Sequence, residues 1–186
     1  MTRCAVVFFL LCFVSSIAAG AQASESATGR QFSITGGGAA SVFRPGGGSH
    51  PVWGTGTNYL AGVGTYVDFH FTHWVQVEGE ARWLRFHEYA GEHQDNYLIG
   101  PKVPVMQLGG AQVYGKALIG LGKMTFPNHV GYGTFTALAF GGGTDYKLSR
   151  KVTVRGDFEF QDWPNFLPGQ AMRPWGLTAG MAYRVF

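Results

Sequence analysis

The chain has 186 residues, a formal net charge of +3, 46% apolar residues and 13% charged ones. That length suits one domain, and a charge so close to balance gives no electrostatic case for nucleic acid. The first segment stands apart from the rest. Met1-Thr2-Arg3 is a short positive start, Cys4 to Ala19 is an almost continuous apolar run, and Ala21-Gln22-Ala23 is a small-x-small site. This is the anatomy of a secretory signal peptide over residues 1–23, with Ala21 and Ala23 marking cleavage and residues 24–186 forming the mature domain. An uncleaved anchor is the alternative. Both cysteines, Cys4 and Cys12, fall in this segment, so the mature domain cannot be a disulfide scaffold. Phe9-Leu10-Leu11 ahead of Cys12 are not the small residues that lipidation needs. No later run is long and apolar enough for a spanning helix, so a membrane location would require a closed barrel.

Ser24 to Arg30 reads as a polar lead-in. A first strand is expected over 31–43, with Phe32, Ile34, Gly36, Gly38, Ala40 and Val42 on one face. Residues 44–58, rich in glycine and proline, form a long loop. The second strand spans 59–69 and the third 74–86, where Val75, Val77, Gly79, Ala81 and Trp83 alternate with Gln76, Glu78, Glu80 and Arg82. A loop over 87–95 leads to a fourth strand, 96–105, which Pro101 and Pro104 weaken by removing ladder donors. The fifth strand spans 111–122 and carries Lys116 among apolar residues. After a loop over 123–133 comes a sixth, 134–146. Val152 to Gln161 is the seventh and alternates without error, with Val152, Val154, Gly156, Phe158 and Phe160 opposite Thr153, Arg155, Asp157, Glu159 and Gln161. Residues 162–174 form a loop, and Trp175 to Phe186 is the eighth strand.

These elements predict an all-β fold, an eight-stranded antiparallel up-and-down transmembrane β-barrel. Strands of about ten residues match a tilted bilayer crossing. Even strand number and connections that alternate long and short are the barrel signature. Aromatics at strand ends, among them Trp53, Trp74, Trp163 and Trp175, would form interfacial girdles.

The mature chain resembles the small eight-stranded outer-membrane barrels of the OmpA-transmembrane-domain and OmpX type. The resemblance is carried by the signal segment, Asn96-Tyr97-Leu98-Ile99-Gly100-Pro101, Gly141 to Ser149 running into Val152 to Gln161, and Phe186. It implies a bacterial outer-membrane location, insertion by the barrel-assembly machinery, contact with outer-membrane lipid, and a monomer. Tyr183 and Phe186 would be the C-terminal assembly signal. Arg184 stands where members of the class often carry a second aromatic, and Phe186 falls out of phase with Leu177, Ala179, Met181, Tyr183 and Val185.

The inward charged face, Glu78, Glu80, Arg82, Lys102, Lys116, Arg155, Asp157 and Glu159, is the candidate site, a lumen polar network. An eight-stranded interior is just wide enough to be filled by side chains, and buried charges there would pair. A structural polar plug is the expectation, with a narrow ion path as its rival. The six histidines, His50, His70, His73, His87, His93 and His129, show no metal-ligand spacing, so no metal or cofactor is expected. The glycine triplets at 36–38, 46–48 and 141–143 do not lie between a strand and a helix and are not phosphate loops. They would instead make room for side chains across a narrow lumen.

The expected function is structural or surface interaction through the long loops, with at most a narrow pore and no enzymatic activity. Two alternatives stay open. One is a soluble, secreted, lipocalin-like binder of an apolar ligand, which needs Val154, Phe158 and Phe160 inward. The other is a lipid A-modifying barrel enzyme, for which Ser49-His50 and His129 are only weak candidates.

Overall fold

The computed structural model describes residues 32–46, 59–71, 74–87, 90–167 and 170–185. The signal segment with Ala21 and Ala23, the residues His50, Trp53 and His73, and the terminal Phe186 lie outside the described residues.

Nine strands form: β1 (Ser33–Arg44), β2 (Leu60–His70), β3 (Gln76–Phe86), β4 (His93–Leu108), β5 (Ala111–Thr125), β6 (Tyr132–Lys147), β7 (Val152–Leu167), β8 (Gln170–Met172) and β9 (Trp175–Arg184). Sequential neighbours from β1 to β7 pair antiparallel, β7 pairs with β9, and β9 pairs with β1. The ring is therefore closed by eight strands, with no open edge. The short β8 folds back on the far end of β7, pairing Trp163 with Met172 and Leu167 with Gln170.

Because successive side chains of a strand point to opposite faces, the closed ring separates the two sets completely. Outside lie Val63 (51% exposed), Ile119, Phe140, Phe158 and Leu177 (61%); inside lie Glu78 and Glu159, both wholly buried. Val154, Phe158 and Phe160 are exposed on the wall, which overturns the lipocalin-like alternative. A continuous apolar exterior over eight tilted strands belongs in hydrocarbon, not water. Phe71, Trp74, Tyr146 and Tyr183 sit exposed at the short-turn end, and Tyr59, Phe86, Tyr97 and Trp175 toward the other, as interfacial girdles require.

The long-loop end differs from expectation. Stretches read as loops at 87–95, 123–133 and 162–174 contribute strand to β4, β5, β6 and β7, so the hairpins there continue well past the predicted strand ends. Packing explains this. Trp163, Phe166, Met124 and Met172 are buried together there, with Phe126, Phe135 and Leu167 against them. The burial of these large apolar groups favours extending the strands, at about 25 cal/mol per Å² of apolar surface. Trp163 is accordingly an inward plug and not a girdle residue. β4 also tolerates its prolines. The β4–β5 ladder passes from Ile99↔Ile119 to Lys102↔Lys116 with no partner for Pro101, and the register shifts beyond Pro104. On the β5 side Pro101 thus lies in a gap of the ladder and Pro104 at the edge of a register shift, while on the β3 side Pro101 keeps its place opposite Val77.

Glycine sets the lumen's dimensions at two positions above all. A Cβ on Gly37 would come within 2.8 Å of the Tyr66 ring, and one on Gly122 would overlap the Trp163 indole. Adding a methyl group inward should therefore overpack the barrel by about 1–3 kcal/mol. Gly122→Ala is expected to lower the unfolding midpoint in detergent, whereas Gly36→Ala, whose Cβ would meet nothing within 4 Å on the lipid face, should leave it within error. Equal midpoints for the two variants would refute this account of the lumen.

Candidate functional site: the charged lumen

The lumen phase of β2 to β7 delivers alternate residues to one central column. From β3 come Glu78, Glu80 and Arg82, from β4 Lys102, from β5 Lys116, and from β7 Arg155, Asp157 and Glu159; all eight point into the same buried volume. Lys116 Nζ lies 3.1 Å from Glu78, 3.1 Å from Glu80, 3.2 Å from Asp157 and 3.0 Å from Glu159. The Arg155 guanidinium donates to Glu78 at 2.7 Å, Asp68 at 2.5 Å and Asp145 at 2.8 Å. Arg82 forks onto Glu159, 3.0 Å away, and onto its strand neighbour Glu80. Lys102 Nζ bonds Asp145 at 2.6 Å and Asp68 at 3.1 Å.

Asp68 and Asp145 were missed in the sequence reading, although they occupy the polar phase of β2 and β6. Asp68 sits between Val67 and Phe69, and Asp145 between Thr144 and Tyr146, so strict alternation places both inside. With them the network holds six carboxylates against four cations. Aromatic rings complete the cations' surroundings. Arg155 lies 4.0 Å over Tyr66, Lys102 4.0 Å over Tyr114, and Arg82 4.1 Å over Phe43, which gives each a favourable quadrupole contact where water is scarce. The Tyr114 hydroxyl donates to Asp157 at 2.7 Å.

The interior is layered. Above the ionic layer, toward the long loops, the side-chain amides of Gln94, Asn96 and Gln161 interlock, and Gln161 Nε2 donates to Glu159 at 2.7 Å. Trp163 Nε1 donates to the Gln161 carbonyl at 2.9 Å, which joins the amide layer to the apolar cap. At the short-turn end, Thr35 and His70 meet at 3.3 Å. Among the described residues no group of three or more His, Cys, Asp or Glu side chains is arranged to hold a metal. His93 bonds Thr125 at 3.0 Å, and His87 and His129 are exposed. Tyr183 faces outward beneath the Lys151 ammonium, 5.7 Å from its ring.

At the long-loop end, Ala90 O accepts from Asn128 N at 2.6 Å, tying the connection before β4 to the one before β6. Next to this contact Glu92 is 2% exposed and has no ion pair among the described residues. Burial alone pushes its carboxyl up to about 7.

A closed barrel with an apolar wall, aromatic girdles and an ion-paired interior is an integral β-barrel of the outer-membrane type. The family model described as the outer membrane protein beta-barrel domain matches residues 9–184, and the chain belongs to that family, whose members reside in the outer membrane. No curated protein matches it by sequence. Among solved structures it is similar to the N-terminal β-barrel domain of Pseudomonas aeruginosa OprF, at 14% identity over 83% of this chain and 99% of that one, TM-score 0.54. It is also similar to Neisserial surface protein A, at 12% identity over 82% and 96%, TM-score 0.55. A third is Ail, the attachment invasion locus protein of Yersinia pestis, solved with the heparin analogue sucrose octasulfate, at 19% identity over 82% and 97%, TM-score 0.50. At these identities the likeness is one of fold.

Two outcomes follow from the site. Arg155→Ala removes one of the two cations, with Lys102, that Asp68, Glu78 and Asp145 share and leaves the partners of four cations to three, so it should cost about 3–5 kcal/mol in detergent-solubilised denaturant unfolding; a loss below about 1 kcal/mol would contradict the network. Glu92 has a folded-state pKa above its unfolded value, so the stability it contributes is full below about pH 4.5 and drains away as pH rises through about 7. Glu92→Gln should therefore flatten the unfolding midpoint between those pH values and be the more stable form above pH 8.

Proposed function

We propose that the protein is a monomeric structural and surface-interaction barrel whose lumen is a stabilising plug and not a conduit, with no enzymatic role. The single observation that carries this reading is the filling of the interior, where the ionic layer, the amide layer and the Trp163 cap succeed one another along the axis. An eight-stranded ring leaves space for side chains and little more, and pairing them is what makes their burial tolerable.

The long-loop end then faces the cell exterior and the short turns face the periplasm. The loops carry partner contact on a rigid scaffold, and a surface ligand would be met by residues of the 44–58, 87–95, 123–133 and 162–174 segments. Surface attachment, the role printed in the name of Ail, is the kind of function that this placement supports. Insertion would be directed by the assembly machinery reading the last strand through Tyr183 and Phe186, and the annulus would be outer-membrane lipid.

Planar-bilayer recording of the refolded chain tests the plug. The expected result is no sustained unitary conductance for the wild type. A stable open channel whose conductance or selectivity changes with Lys116→Met or Glu78→Gln would overturn the reading. In the same preparation the folded barrel should migrate differently on gels before and after boiling, and lipid A from expressing cells should keep its mass; a mass shift would favour the enzymatic alternative.

A further inference from the structure

Eight described cations lie outside the lumen network, four at each end of the barrel, and those at the short-turn end are all without an ion pair among the described residues. Lys147 ends β6, Arg150 and Lys151 lie in the turn to β7, and Arg184 ends β9. All four are exposed, and none forms an ion pair among the described residues. β7 joins them, since Lys147 pairs with Thr153, Val152 pairs with Tyr183, and Arg184 N donates to Lys151 O at 2.8 Å. Asp145, two residues before Lys147 in β6, is already committed inside the barrel to Arg155 and Lys102. At the long-loop end Arg85 pairs with Asp95 and Arg173 with Asp162, and of the other two described cations Lys123 lies over the Tyr97 ring and Arg44 stands without an ion pair among the described residues.

Apolar groups are interleaved with these charges. Leu148 is 62% exposed, and Tyr146 and Tyr183 stand exposed beside it on the lipid side, with Lys151 over the Tyr183 ring. Aromatic and aliphatic bodies with cationic tips at one level are the composition of a membrane interface, where the stems lie in hydrocarbon and the charges meet headgroups. Lys147 and Arg184 have the lumen phase at the rim, so they add field from behind while Arg150 and Lys151 meet the leaflet.

We infer that Lys147, Arg150, Lys151 and Arg184 form a binding site for the phosphate of an anionic phospholipid headgroup in the leaflet around the short turns. The inference rests on the proposed orientation only for which leaflet that is; the chemistry of the site does not depend on it. A cell-wall polymer is the less suitable partner. Leu148 to Lys151 is a four-residue turn that reaches on the order of 7 Å beyond the strands, within headgroup depth and short of a separate layer.

The test uses the full chain refolded in nanodiscs of phosphatidylcholine containing a minority of phosphatidylglycerol, with spin-labelled forms of each lipid as probes. The wild type should immobilise phosphatidylglycerol about threefold or more over phosphatidylcholine, as expected for several cations near a surface, and rising salt should erode that preference. The quadruple Gln variant should show no preference, Arg150→Gln with Lys151→Gln an intermediate one, and Lys123→Gln at the other end the wild-type value. Gel mobility before boiling confirms that each variant is folded, and the salt titration tests the site on the unmodified chain. Equal immobilisation of both lipids by the wild type overturns the inference, as does a preference that survives the quadruple variant. Co-sedimentation with cell-wall sacculi through these same cations, without lipid preference, overturns it in favour of the polymer. Labelling Ser149→Cys in intact cells with an impermeant maleimide reports orientation separately, since only an outward-facing turn would react.

Discussion

A charge held inside a membrane barrel persists only with its counter-charge, and Lys116 shows how tightly that condition binds this molecule. Its ammonium touches Glu78, Glu80, Asp157 and Glu159, carried by two strands on either side of the lumen. Arg155 does the same for Asp68, Glu78 and Asp145. Since these partners come from β2, β3, β6 and β7, satisfying them fixes strand register across most of the ring. A slip of one residue in any of those strands would send charges into lipid and apolar groups into the lumen.

The same constraint shapes what surrounds the network. Room for long side chains in so narrow an interior comes from residues with none. Gly37 yields to Tyr66, Gly143 to the Tyr114 hydroxyl, 2.8 Å from where a Cβ would stand, and Gly122 to Trp163. Tyr66 and Tyr114 in turn cover Arg155 and Lys102, so glycine, ring and cation form one packing unit. Polarity then falls off by steps toward the long loops, through Gln94, Asn96 and Gln161 to Trp163 and the methionines. Each step bonds to the one beneath it, and Tyr66 Oη, Asp68 Oδ1, Gln76 Oε1, Gln94 Oε1 and Asp157 Oδ1 are the buried side-chain atoms left without a hydrogen-bond partner among the described residues.

Outside the barrel the logic reverses. The wall carries no described charge between the girdles, and the cations excluded from the interior sit at the two rims, all four of those on the short-turn rim without an ion pair among the described residues. Function must therefore be sought at the two ends, the loops above and the basic turn below, because the middle is occupied in holding itself together.

Alternation in Val152 to Gln161 and in Trp74 to Phe86 was sufficient to read an eight-stranded barrel and to name eight lumen residues, because period two is a local property of each strand. Asp68 and Asp145 were open to the same reading, but each is a single charge among small or apolar neighbours and drew no notice. The strand extensions at 93–95, 123–125 and 162–167 could not be read locally, since Trp163, Phe166, Met124 and Met172 favour strand only when they meet one another across the mouth. What the sequence determined by itself was the facing of the residues within its alternating strands, and with it the membrane. Which charge meets which, how high the hairpins rise, and where Trp163 points were decided only by ring closure, because those contacts join strands distant in the chain and exist only once β9 has paired with β1.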